Sequence, residues 1–212
     1  MASYAATLFP GASAASFCVG DMRALHRCAP VCEAAPFDVV TCLFSSFTHL
    51  VETEDALACL RCVRDALSPR GVFALEFANP VGLFDGSVVN APRLGGADDW
   101  EVPSWDGFTD DGLSLLVQWG APGDAFDAID QVLFRTVSIS VFEDRAPTPD
   151  RLLREVVPTR LFTAQEIRLL ARLAGLRVLS MHGALGNAEE GGGEADARSH
   201  DAPRLVILLG RE

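Results

Sequence analysis

Phe37-Asp38-Val39-Val40-Thr41-Cys42-Leu43-Phe44 is an apolar run of strand length, and the polar cluster Ser45, Ser46, Thr48 and His49 closes it. Its β-branched and aromatic residues suit a buried strand. From about Glu54 to Leu67 the pattern changes. Leu57, Leu60, Val63, Ala66 and Leu67 repeat at the spacing of one helical face. Ser68-Pro69-Arg70-Gly71 then turns the chain into a second apolar run, Val72 to Phe77. Upstream, Ala14 to Val19 reads as a short strand that stops on Gly20-Asp21-Met22. Ala2 to Phe9 is helix-like and ends at Pro10-Gly11.

The carboxyl-terminal third repeats this alternation. Thr163-Ala164-Gln165-Glu166 has the form of a capping box, in which Thr163 accepts a backbone hydrogen bond and Glu166 reaches back. Ile167, Leu170, Ala171 and Ala174 lie on one side of the helix it opens, and Gly175 is placed to end it. Leu176 to Met181 and Arg204 to Leu209 read as strands. Alternating strand and helix predicts an α/β layered fold around a mainly parallel sheet. Residues 84–155 have a different texture, with Gly/Pro/Asp loops around Leu113 to Trp119 and Val132 to Phe142. The second run alternates polar and apolar residues, which predicts an antiparallel strand with one wet face. The expected organisation is a core of 1–83 and 156–212 carrying a β-rich insertion lobe, 84–155. Glu189 to Ala202, rich in Gly, Glu and Asp, reads as a loop between the last two strands.

Composition narrows the function classes. Hydrophobic residues make up 49% of the 212, against 22% charged, as a packed core requires. A net charge of −12 argues against a nucleic-acid partner, because phosphate binding needs clustered cations. All 17 basic residues are arginine. No run approaches the ~18 apolar residues of a membrane span, and the amino terminus has no basic leader. A cytoplasmic protein without a membrane partner is expected. Cys28-x3-Cys32 and Cys59-x2-Cys62 have metal-site spacings. Cys59 and Cys62 fall on the expected helix, however, and Cys18 and Cys42 fall within apolar strands. Reduced, mostly buried thiols and no metal are expected.

The order Gly20-Asp21-Met22, then Phe37-Asp38-Val39-Val40, then Ser68-Pro69-Arg70-Gly71 resembles the second half of a class I S-adenosylmethionine-dependent methyltransferase of the small-molecule type. There "GDM" follows the third strand, "FDxV" opens the fourth and "LxPGG" precedes the fifth. Thr159-Arg160-Leu161-Phe162-Thr163 and Ala174-Gly175-Leu176 are similar to that family's "TRxFT" and "AGF" stretches. Gln118-Trp119-Gly120 through Gln131 is similar to the β-lobe that some members insert. The resemblance implies an incomplete Rossmann-like methyltransferase sheet with an inserted antiparallel β-rich lobe.

It also implies S-adenosyl-L-methionine as cofactor and a small-molecule acceptor. Asp21 would accept a hydrogen bond from the adenine amino group with Met22 against the ring; a plain turn cap is the other reading of Asp21. Cys42, Leu43 and Phe44 would face the methionine part, although Phe44 also suits a core. His49 would touch cofactor or substrate, or be structural. Glu76 and Asn79, expected after the fifth strand, are candidates for the acceptor side, with Trp119 and Arg160; Trp100 and Trp105 fit an aromatic cage or the lobe's own core. Asn79-Pro80 does not form the "NPPY" of nucleic-acid amide methylases. No residue is assigned as the catalytic base, which methyl transfer from an activated sulfonium needs only for some acceptors.

Against the family pattern, the first strand, its glycine-rich loop and the acid after the next strand are missing. The glycines at 95–96 and 191–193 do not stand between a strand and a helix. Roughly 40–60 residues, one βαβ unit and part of another, would precede Ala2. Methyl transfer is then expected to be impaired in this chain. The alternatives are an inactive binding or regulatory module, a sheet completed by a partner chain or homo-oligomer, and a non-enzymatic α/β domain that only mimics these motifs.

Overall fold

The computed structural model describes residues 3, 4, 7, 15–79, 104–108, 113–121, 123–142, 149–183, 202 and 204–212. The chain divides into two compact units, Met1–Asn79 with Thr163–Glu212, and Pro80–Phe162.

In the first unit a 3-10 helix, Met22–Arg27, leads into the short helix α1, Ala29–Ala34, and strand β1, Phe37–Cys42. A second 3-10 turn, Ser46–His49, precedes helix α2, Thr53–Ala66. Strand β2, Leu67–Ala78, pairs parallel with β1. Its register runs Phe37↔Leu67, then Val39↔Val72, so Ser68 to Gly71 form an excursion inside one strand rather than a turn between elements. A Cβ at Gly71 would stand 2.7 Å from the Phe37 carbonyl oxygen, a contact only glycine avoids.

Helix α3, Ala164–Leu173, carries the expected capping box: the Glu166 N–H donates to Thr163 Oγ1 and the Thr163 N–H to the Glu166 carboxylate. Ile167, Leu170, Ala171 and Ala174 are buried, and Gly175 takes φ 76° beyond its end. On α2 the buried face is Ala56, Cys59, Leu60, Val63 and Ala66. Cys59 and Ala56 therefore stand where the spacing suggested Leu57.

Two further strands complete this sheet in the order β1, β2, Arg204–Arg211, Leu176–His182. The last two pair antiparallel with each other, and Arg204–Arg211 pairs antiparallel with β2. The expectation of a mainly parallel sheet is thus corrected. The two late strands lie side by side antiparallel, a pairing that needs no crossover, and among the described pairs of this sheet only β1 and β2 run parallel. Phe73, Leu75, Phe77, Ile207 and Leu209 form its core with Phe47 and Leu60.

Ala14 to Val19 is not a strand. Residues 15–20 have no regular structure and are exposed. The described sheet ends at β1, and this segment does not pair with that edge. Cys18 is accordingly exposed, and only Cys28 and Cys59 among the six thiols are buried, which corrects the mostly buried reading. Among the described residues nothing pairs with the outer edge of β1, which carries Val39 at 63% exposure, a row of the kind folded proteins normally cover.

The second unit is an antiparallel sheet. Strands β3, Ser104–Phe108, β4, Ser114–Trp119, β5, Ala125–Asp127, β6, Val132–Phe142, and β7, Arg151–Arg160, are arranged around β6. In chain order the two remaining strands of the first unit, Leu176–His182 and Arg204–Arg211, become β8 and β9. On β6 the polar face is not the wet one: Thr136 and Ser140 are buried. Asp124 explains Thr136, accepting from its backbone N–H at 3.0 Å and from its hydroxyl at 2.6 Å. The glycines at 95–96 and 191–193, Trp100 and the loop 189–201 lie outside the described residues; Ala202 is buried.

Candidate functional site

An apolar groove of about 450 Å3 runs along β1. It is walled by β1 itself, by Met22 and Leu25 of the 3-10 helix, by Val31 of α1, and by Cys59, Val63 and Ala66 of α2. Cys42, Leu43 and Ser46 line its end at the carboxyl terminus of β1. The size lies within the range of small-ligand sites, and ligands of open α/β sheets bind at such strand ends. Met22, Cys42 and Leu43, singled out from the sequence, are therefore brought together.

Asp21 does not close a strand. It caps the 3-10 helix, accepting the Arg23 N–H at 2.9 Å, and its two oxygens also receive the Arg23 guanidinium. The Arg23 side-chain hydrogen bonds, aided by the backbone one, hold the carboxyl down at about 2. Arg23 also donates to Asp55 of α2 at 2.9 Å, pinning the 3-10 helix to α2. Both Asp21 oxygens are thus engaged, and the cap and the Arg23 bridge fix the 3-10 helix that carries Met22.

The turn after β1 is conformationally demanding. Phe44 and Ser45 both have positive φ, 53° and 61°, which costs a side-chain-bearing residue energy. Glu76 supplies the compensation. Its Oε2 accepts the Phe44 N–H at 2.9 Å and its backbone oxygen accepts the Ser45 N–H at 3.2 Å. Arg204 of β9 donates to Oε1 at 2.7 Å. Burial pushes the Glu76 carboxyl up, but the Phe44 N–H and Arg204 outweigh it and leave it below the ordinary carboxylate range. Glu76 sits inside β2, not after it, because β2 continues pairing to Ala78↔Arg204. The sequence missed this role; the pairing of an acid on one strand with an arginine on a strand 128 residues away leaves no local signal.

Phe44 is 86% exposed, so it is not core. His49 ends the 3-10 turn and is exposed, and neither lines the groove. Asn79 follows β2 immediately. Burial raises the Cys42 thiol, partly offset by the Phe47 backbone, and raises Cys59 to about 12. Trp119 and Arg160 belong to the second unit. Trp119 lies under the Arg135 guanidinium, 5.8 Å from its ring centroid, and Arg160 lies 4.8 Å over the Phe162 ring. Both are engaged with neighbours in their own unit. Of Trp105 only the backbone, in β3, is described.

No family model and no curated protein matches the chain. Solved structures do. The sugar N-methyltransferase KedS8 of a Streptoalloteichus species superimposes with a TM-score of 0.60 at 15% identity, over 100% of this chain and 67% of that one. The CcbJ methyltransferase of Streptomyces caelestis gives 0.59 at 18% identity, over 99% and 68%. An S-adenosylmethionine-dependent methyltransferase from Clostridium acetobutylicum gives 0.53 at 15%, over 84% and 59%. At these identities the likeness is one of fold, and the chain spans 59% to 68% of these proteins' length.

Proposed function

We propose, from the class I S-adenosylmethionine-dependent methyltransferase fold that this chain has, that it takes part in methyl transfer to a small-molecule acceptor. The observation that supports this most is the meeting of Met22, Cys42 and Leu43 in one groove at the carboxyl end of β1. Bound there, S-adenosylmethionine would supply an already activated methyl group. Met22 would offer apolar surface to its adenine and Leu43 to its methionine part, and Asp21 would act through Met22 by fixing the helix that carries it. Glu76 would set the Phe44–Ser45 turn at the rim. Among the described residues no carboxylate lines the groove, so ribose hydroxyls would meet no acidic acceptor there, and cofactor affinity is expected to be modest and transfer impaired. An inactive binding or regulatory module is the second reading, favoured by the wholly non-acidic lining of the groove.

The acceptor side has less support. Glu76 is spent on positioning, and Trp119 and Arg160 are engaged in the second unit, with Asn79 beside β2 as the remaining candidate. No helix among the described residues is long and apolar enough to cross a membrane; a cytoplasmic location remains the reading from sequence. The open β1 edge suits one more parallel strand, from a partner chain or a second copy. The test is transfer of a labelled methyl group from S-adenosylmethionine to a panel of small amines, phenols and carboxylic acids. Label on any acceptor above a heat-denatured control supports the enzyme reading; cofactor binding with no transfer to any acceptor supports the module.

A further inference from the structure

Cys18 and Cys28 bring their sulfurs to 3.4 Å, the one thiol–thiol contact among the described residues. Their surroundings differ. Cys18 is exposed, in the irregular segment 15–20, whereas Cys28 is buried at the junction where the 3-10 helix ends and α1 begins. The junction is fixed: the Cys28 N–H donates to Leu25 O at 2.9 Å, and the Cys28 carbonyl accepts from Val31 and Cys32. The approach is shaped from the other side too. A Cβ at Gly20 would lie 3.5 Å from Cys28 Sγ, so the chain at 18–20 folds directly over this thiol. Cys32 and Cys62 are arranged otherwise, with backbone acceptors: Cys32 Sγ donates to His26 O at 3.2 Å, and Cys62 Sγ to Arg23 O at 3.4 Å.

We infer that Cys18 and Cys28 form a redox site, in which the accessible Cys18 is oxidised by a hydroperoxide and the buried Cys28 resolves it to an intramolecular disulfide. This stands on the thiol geometry and does not depend on methyl transfer. In the first step the Cys18 thiolate attacks the peroxide O–O bond, giving a sulfenic acid and releasing the alcohol, or water from hydrogen peroxide. In the second, Cys28 attacks the sulfenic sulfur; the S–S bond forms and water leaves. Two thiols lose two electrons and one peroxide gains them. The hydrogen bond shared with Cys28 raises the Cys18 thiol above its ordinary value. Since only the thiolate attacks, oxidation accelerates as pH rises. The product closes a loop containing Asp21 and Met22, tethering the segment that walls the groove.

The chain is treated with stoichiometric hydrogen peroxide and mapped by non-reducing peptide mass spectrometry. The expected result is a Cys18–Cys28 cross-linked peptide in monomeric protein, reversed by dithiothreitol, with an upward shift in melting temperature on oxidation that Cys18→Ser abolishes. In Cys28→Ser the sulfenic acid persists, so dimedone labels Cys18 strongly there and weakly in the unmodified chain. If Cys28→Ser does not fold, the exposed Cys18→Ser variant carries the test alone. Pairing of Cys28 with Cys32, or dimedone-labelled Cys18 with no cross-link in the unmodified chain, overturns the proposal.

Discussion

Replacing Glu76 with alanine is expected to destabilise the first unit by about 2 kcal/mol, less than breaking a fully buried ion pair costs, because this pair is only part-buried. Three groups lose their acceptor or counter-charge together. The Phe44 N–H and the Arg204 guanidinium are left unpaired, and the positive φ of Phe44 loses the hydrogen bond that offsets it. The Glu76 side chain is only 14% exposed and that of Arg204 30%, so water replaces the carboxylate poorly. Urea unfolding followed by circular dichroism measures the loss. Glu76→Gln should cost less, because an amide oxygen still accepts one hydrogen bond. The pair also has a pH signature. The folded carboxyl lies below its unfolded value, so its contribution is complete above that unfolded value, about 4.3, and fades as pH falls through the folded one. The stability difference between the native chain and Glu76→Gln should therefore shrink in acid. A difference that stays constant down to pH 2 would contradict the ion pair.

Leu43→Arg is expected to weaken S-adenosylhomocysteine binding at least about a hundredfold, nearly 3 kcal/mol on the affinity scale. Leu43 lines the groove but is only half-buried. A longer cationic side chain fills the space and brings an unpaired charge into an apolar groove. The two hydrogen bonds that Leu43 makes to Ser46 use its backbone oxygen and survive the change. The urea midpoint should move little. A variant that folds normally and binds as tightly as the unmodified chain would place the ligand elsewhere.

The elements that the sequence disclosed were those whose signals are local. The capping box at Thr163, the left-handed Gly175 and the period of α2 each sit within a few residues, and each stands in the structure within a residue of its expected place. Strand direction was not local. The apolar runs now in β8 and β9 say nothing about which way they cross the sheet, and their antiparallel order depends on partners far away in the chain. Ala14 to Val19 failed for a related reason. A strand exists only with a neighbour, and the apolar pattern of this segment could not reveal that none was beside it. Met22, Cys42 and Leu43, which all line one groove, were readable from short motifs at element ends. The Glu76–Arg204 pair and the Cys18–Cys28 contact were not, since both are set by tertiary approach.

The central claim, that the groove along β1 holds the adenosyl cofactor, is tested most directly by calorimetric titration of S-adenosylhomocysteine into the folded chain. The account predicts saturable one-to-one binding, with a Kd of about 10 to 100 μM, that Leu43→Arg removes. A chain that is folded by circular dichroism and takes up no S-adenosylhomocysteine at millimolar ligand would contradict it.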